Sequence, residues 1–119
     1  MLYASGEMAT FAAGKVSRAA IEGRGTPWQS WVYGPRLLDD DGKRLKYFAE
    51  TTASPKHSAR TVIGYYEPGH YCFVIVNPRT GDTSQGMTFA DTAAFMEKLG
   101  CKAAYNLAGG TASAMTLCD

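Results

Sequence analysis

The sequence carries almost no net charge: twelve Lys plus Arg against eleven Asp plus Glu leave +1 over 119 residues. So balanced a chain creates no long-range field of the kind that gathers proteins onto nucleic acid or acidic membrane, and no nucleic-acid partner is expected. Long apolar runs are lacking too. The longest uninterrupted one, Tyr71 to Val76, falls far short of the roughly 20 residues a membrane-spanning helix needs, so no membrane span is expected. The opening Met1-Leu2-Tyr3-Ala4-Ser5-Gly6-Glu7 has neither a basic nor an apolar stretch and does not read as a secretory signal. Cysteine is scarce and odd in number, with Cys72, Cys101 and Cys118 showing no CxxC spacing. Neither a disulfide framework nor a zinc knuckle is indicated, and unpaired thiols with Cys72 in the core are the expectation. No metal-ligand cluster is visible, and no cofactor is expected. Internal repeats, low-complexity tracts and linkers are also lacking.

What is present is material for one core. With 45% hydrophobic and 12% aromatic residues, the chain can bury about two-thirds of its extended surface as a single domain over residues 1–119. Thr61 to Tyr66 and Tyr71 to Val76 are rich in β-formers and joined by Glu67-Pro68-Gly69-His70, which predicts a hairpin. Weaker β signals lie at Leu2 to Ala4 with Met8 to Ala12, at Trp28 to Tyr33 with a break at Gly34-Pro35 before it resumes at Leu37-Leu38, and at Lys102 to Leu107. Ser17 can cap a helix of two turns at most, ending at Gly23. Thr88-Phe89-Ala90-Asp91 reads as a capping box, in which the Thr88 hydroxyl takes the third amide and the Asp91 carboxylate reaches back to the first. Phe89, Ala93, Met96 and Leu99 then fall on one helix face, and Gly100 supplies the exit. The resulting fold class is α+β: a mixed or antiparallel sheet covered by one main helix. Lys43 to Ser58 reads as a weak strand plus an exposed loop, and Asn77 to Asp82 as a turn.

Two features draw attention as chemistry. Gly109-Gly110 leaves a strand, so backbone amides there can approach an anion without a Cβ in the way; such a pair also simply reverses a chain. Arg60 precedes Thr61-Val62-Ile63-Gly64, which puts a cation at the mouth of the hairpin. Its fork suits a phosphodiester, and it equally suits a nearby carboxylate. His57, three residues earlier, is either solvated or faces the same pocket. Trp28, Trp31, Tyr33, Tyr65 and Tyr66 divide between core packing and stacking on a sugar.

Several motifs in one order carry a resemblance. Arg60-Thr61-Val62-Ile63-Gly64 is similar to the Arg-Thr-Ala-Ile-Gly motif of the phosphodiester glycosidase family. Asn106-Leu107-Ala108-Gly109-Gly110-Thr111-Ala112-Ser113 resembles that family's Asn-Leu-Asp-Gly-Gly-Gly-Ser-Ser signature. Between them, Gly86-Met87-Thr88-Phe89-Ala90-Asp91-Thr92-Ala93 resembles its Gly-Leu-Thr-Leu-x-Glu-Leu-Ala helix start, and Tyr33-Gly34-Pro35 its Phe-Gly-Pro. The resemblance spans about Tyr33 to Met115 and corresponds to the C-terminal half or somewhat more of the family domain, which implies a truncated domain. It implies hydrolysis of a sugar 1-phosphodiester, releasing a sugar such as N-acetylglucosamine and leaving a phosphomonoester. Bacterial relatives are often labelled exopolysaccharide-biosynthesis proteins, which points to an exported or cell-envelope setting.

The same resemblance implies a substrate site of Arg60, Thr61, Asn106, Gly109, Gly110, Thr111 and Ser113, with Arg60 and the turn amides holding phosphate and Asn106 and Ser113 fixing the turn or meeting sugar hydroxyls. Ala108 stands where the family has Asp, Thr111 replaces a Gly, and Ala112 replaces the first Ser. Glycosidic cleavage normally demands a carboxylate to protonate the leaving oxygen or stabilise the anomeric carbon, and a methyl group does neither. With Asp91 assigned to the cap and Asp82 to a turn, Glu50, Glu67, His57 and His70 remain as substitutes, none of them pointed to by spacing. Two readings follow: a glycosidase acting on a sugar phosphodiester, or a non-catalytic binding or assembly remnant of that domain. A sheet lacking neighbours also exposes an open edge, through which the chain is expected to form a homo-oligomer.

Overall fold

The computed structural model describes residues 1–12, 14–48, 57–77, 86–110 and 113–118. The expected turn at 78–82, Glu50 in the expected loop, and Thr111 and Ala112 lie outside the described residues.

The architecture is α+β with antiparallel pairing throughout. Strand β1 (Leu2–Tyr3) pairs with β2 (Pro27–Gln29), and helix α1 (Arg18–Glu22) lies between them in sequence. The larger sheet takes the order β4-β3-β5, with β3 at Arg60–Glu67, β4 at His70–Val76 and β5 at Ala103–Asn106. Helix α2 (Phe89–Lys98) lies between β4 and β5 in sequence. Among the described residues, no helix is long and apolar enough to cross a membrane.

Alternation along β3 sets the two faces of this sheet. Val62 packs towards the helix with Ala104, Leu37, Leu38 and Cys101, against Phe89, Ala93 and Met96 of α2. Leu37, Leu38, Val62 and Met96 are completely buried, and each such side chain contributes about 1.5–3 kcal/mol through removal from water. Ile63 and Tyr65 face the other way, packing with Met8 and with the half-buried Trp31, Tyr71 and Tyr105.

The hairpin and both helix starts agree with the sequence. Ser17 Oγ accepts the Ala20 amide at 3.1 Å, and Thr88 Oγ1 accepts the Asp91 amide at 3.1 Å. Other expectations need correction. The stretch Trp28 to Tyr33 forms a strand only as far as Gln29, and Trp28 and Tyr33 are exposed. Leu99 caps α2 at its C-terminus and is 39% exposed, so the buried face is Phe89, Thr92, Ala93 and Met96. Thr92 belongs there because its hydroxyl donates to Thr88 O at 2.7 Å, which removes the cost of burying it. The fully buried thiol is Cys101, beside a half-buried Cys72.

After the cis Gly34-Pro35 bond the chain takes up pairing as far as Leu37, in keeping with a strand resuming at Leu37-Leu38. The Gly34 amide donates to Asn106 O at 3.0 Å, the Asn106 amide to Pro35 O at 3.0 Å, and the Leu37 amide to Ala104 O at 2.9 Å. Residues 34–37 therefore cover the outer edge of β5. Among the described residues, no strand pairs with the outer edge of β4.

Candidate functional site

Arg60 opens β3 and shares the helix-facing side with Val62. The expected cation at the mouth of the hairpin is therefore inside: Arg60 is only 5% exposed. Its Nε donates to Met87 O at 3.1 Å, and its guanidinium carbon stands 4.0 Å from the centre of the Phe89 ring. Burial lowers its pKa below the ordinary guanidinium value, and a guanidinium still stays charged at neutral pH. The Met87 carbonyl is itself fixed by an antiparallel bridge between Ser58 and Met87. At Gly86, which enters this bridge at φ +73°, an added Cβ would lie 2.4 Å from the Ser58 carbonyl.

The Gly109-Gly110 turn lies against the same end of β3. The Leu107 amide donates to Thr61 O at 2.7 Å and the Gly110 amide to Ala59 O at 3.1 Å, so the chain leaving β5 stays on the edge of β3. A Cβ on Gly109 would sit 2.8 Å from Ala59 O and 3.5 Å from Arg60 Cα. The Arg60 segment and the glycine turn thus converge. The turn's role is corrected in one respect: the Gly110 amide is spent on β3, and the close approach that demands glycine at 109 is to protein backbone.

Asn106 and Ser113 supply what the glycines do not. Asn106 pairs with Val62 across the sheet and is 3% exposed. Its Nδ2 donates to Gly34 O at 3.0 Å and Leu107 O at 2.9 Å. Both partners are carbonyls, which fixes the amide orientation and leaves Oδ1 as a pure acceptor. Among the described residues that Oδ1 is buried with no hydrogen-bond partner, and so is Ser113 Oγ, which lies 3.6 Å from the Gly109 Cβ position. An orphaned buried polar atom costs about 1–3 kcal/mol.

Not every expected residue joins this cluster. Thr61 lies on the opposite face, where its side chain lines a groove with Phe73, Ile75, Met115 and Leu117. Its share in the Arg60 region is the backbone carbonyl alone. His57 stands near the start of α2, with Nε2 3.9 Å from Asp91 Oδ2. The Asp91 carboxylate thus faces His57, while its amide serves the cap. Of the aromatics, Tyr65 is buried and Tyr66 and Trp31 are half-buried, so these three serve packing first.

Met87, Phe89 and Gly34 also lie at this end of the sheet; they fall within the family-like motifs, but nothing in those motifs pairs them with Arg60 or Asn106. The parity of β3 would have indicated the contact with the first two: a residue two before buried Val62 belongs on the helix face. Gly34 meets Asn106 across 72 positions of sequence, a pairing that no local signal marks.

No curated protein and no solved structure matches this chain. The phosphodiester glycosidase family model matches residues 4–118, reaching further towards the N-terminus than the landmarks beginning at Tyr33. A match over nearly the whole sequence means that the chain belongs to the phosphodiester glycosidase family.

Proposed function

We propose that this end of the sheet engages a sugar 1-phosphodiester. The observation that carries the reading is the pair of buried oxygens, Asn106 Oδ1 and Ser113 Oγ, that have no partner among the described residues, on the segment that packs against Arg60. An amide oxygen accepts and cannot donate, so it selects a hydroxyl-bearing ligand over a bare phosphate oxygen. Sugar hydroxyls fit that requirement. Arg60 supplies a fixed positive charge in a partly dry setting, where Coulomb attraction for a phosphodiester exceeds its value in water. Hydrolysis at this site would break the bond between the anomeric carbon and the phosphate oxygen, adding water to free the sugar and leave a phosphomonoester. N-acetylglucosamine is the sugar favoured by the family resemblance, and an exported or cell-envelope setting fits a polysaccharide ligand.

Calorimetry with the methyl phosphodiester of N-acetylglucosamine 1-phosphate tests this. Saturable binding that is lost in Asn106→Asp supports it, because a carboxylate there would lose the two amide-to-carbonyl bonds and repel the phosphate. Binding that is unchanged in that variant rejects it.

Ala108 favours a second reading, in which the domain binds the phosphodiester without cleaving it. A chromogenic sugar phosphodiester separates the two. Turnover by the natural sequence supports the glycosidase, whereas turnover only after Ala108→Asp supports the binding domain.

A further inference from the structure

Away from that site, two thiols face one another across Gly64. Cys72 lies on β4 opposite Gly64, and Cys101 follows the exit of α2. Their sulfurs are 3.7 Å apart, and neither forms a disulfide. A Cβ on Gly64 would lie 2.6 Å from Cys72 Sγ and 2.8 Å from Cys101 Sγ, with Met96 Cε also at 2.6 Å. The glycine thus makes the space in which both sulfurs sit on the helix face of β3. A disulfide needs Cβ atoms about 3.5–4.5 Å apart and its sulfurs in a single small volume. Here the sulfurs stand 3.7 Å apart, a gap that closure narrows to about 2 Å.

The two thiols differ in access. Cys101 is 3% exposed and Cys72 half-buried. Burial also pushes the Cys101 thiol up to about 11, which leaves little thiolate there to react first. The Tyr66 phenol is raised as well, chiefly by hydrogen bonding to Cys72 and then to Cys101, so it stays protonated as a donor beside both sulfurs.

We infer that Cys72 and Cys101 form a redox pair, which a small-molecule disulfide converts into a cross-link tying β4 to the junction between α2 and β5. In the first step the Cys72 thiolate attacks one sulfur of the reagent, forming a mixed disulfide and expelling one reagent thiolate. In the second, Cys101 gives up its proton and attacks Cys72 Sγ, expelling the other half of the reagent. Two protein thiols are oxidised, one reagent disulfide is reduced to two thiols, and both protein protons end on those thiols. The cross-link spans 29 positions and encloses α2 together with Met87, whose carbonyl holds Arg60. Closing a loop of that size restricts the unfolded chain.

The test uses the full chain carrying Cys118→Ser, which removes the exposed third thiol. After equilibration with excess glutathione disulfide, intact mass is expected to fall by two hydrogens. Digestion is expected to yield a peptide linking Cys72 to Cys101. The melting temperature is expected to rise by on the order of 10 °C. Dithiothreitol should reverse all three changes, and adding Cys72→Ala should prevent them. An unchanged mass, or a gain of bound glutathione with no linked peptide, would overturn the inference. So would a linked peptide with no rise in melting temperature, since the link would then not tie the two elements together.

Discussion

Arg60 and Phe89 stack, the guanidinium carbon standing 4.0 Å from the ring centre, so the first residue of β3 is locked to the first residue of α2. This contact joins the sheet to the helix at the end where the glycine turn also arrives. A double-mutant cycle with Arg60→Met and Phe89→Leu should show a coupling of about 1–2 kcal/mol in denaturant unfolding, as expected for a desolvated cation over a ring. Strictly additive effects would show that the stack does not hold the two elements together.

Ser113→Ala separates ligand recognition from folding. Its hydroxyl is buried without a partner, so removing it should leave stability unchanged or raise it by about 1 kcal/mol. Affinity for the sugar 1-phosphodiester should fall in the same variant. A clear loss of stability would mean that the hydroxyl has an internal partner and no place in recognition.

Gly64→Ala and Gly86→Ala should differ in severity. At Gly64 the new methyl meets two sulfurs and a methionine tip, all side-chain ends, so overpacking should cost about 1–3 kcal/mol. At Gly86 it meets the Ser58 backbone at 2.4 Å, at a φ of +73° that also disfavours alanine. That variant should lose more, along with the bridge that positions Met87. Thermal melts giving equal losses would contradict the geometry.

How far the sequence discloses this arrangement depends on how local each signal is. The β3–β4 hairpin is legible because β-branched and aromatic residues flank Pro68-Gly69, and α2 because Thr88 has a short-range capping role. The pairing of residues 34–37 with β5 is legible only in part: a strand resuming at Leu37-Leu38 can be read locally, whereas its partner cannot, because the hydrogen bonds join positions about seventy residues apart. Arg60 is the instructive case. Read as a charge, it belongs outside; read by its parity with Val62, it belongs beneath the helix, where Met87 O and the Phe89 face receive it. Ser17 to Gly23 was short enough for its cap to define it, whereas Trp28 to Tyr33 looked like a longer strand because aromatic residues suit sheets and exposed sites alike.

Stability should decline in alkali. Burial moves the Cys101 thiol from its ordinary 9.0 up to about 11, so the folded chain keeps a proton that the unfolded chain has released between those values. The stabilisation is fully present below pH 9 and is lost as pH rises towards 11, at up to about 1.4 kcal/mol per pH unit for this group. Unfolding followed across this range should show a shallower decline in Cys101→Ala. The same slope in both proteins would exclude Cys101 as a cause.

Among the described residues nothing pairs with the outer edge of β4, which carries a prediction about assembly. Phe73 on that strand is 58% exposed, and Met115 and Leu117 line the groove beside it. Open edges with apolar neighbours favour strand addition, so the chain is expected to self-associate as concentration rises. Light scattering that reports a stable monomer at high concentration would contradict this.

The most direct test of the central claim is a heteronuclear NMR titration with the methyl phosphodiester of N-acetylglucosamine 1-phosphate. The side-chain amide of Asn106, the backbone amide of Ser113 and the Nε resonance of Arg60 should shift together along one saturation curve, while inorganic phosphate leaves the Asn106 amide unmoved. Shifts confined to other parts of the chain, or none at saturating ligand, would contradict the account.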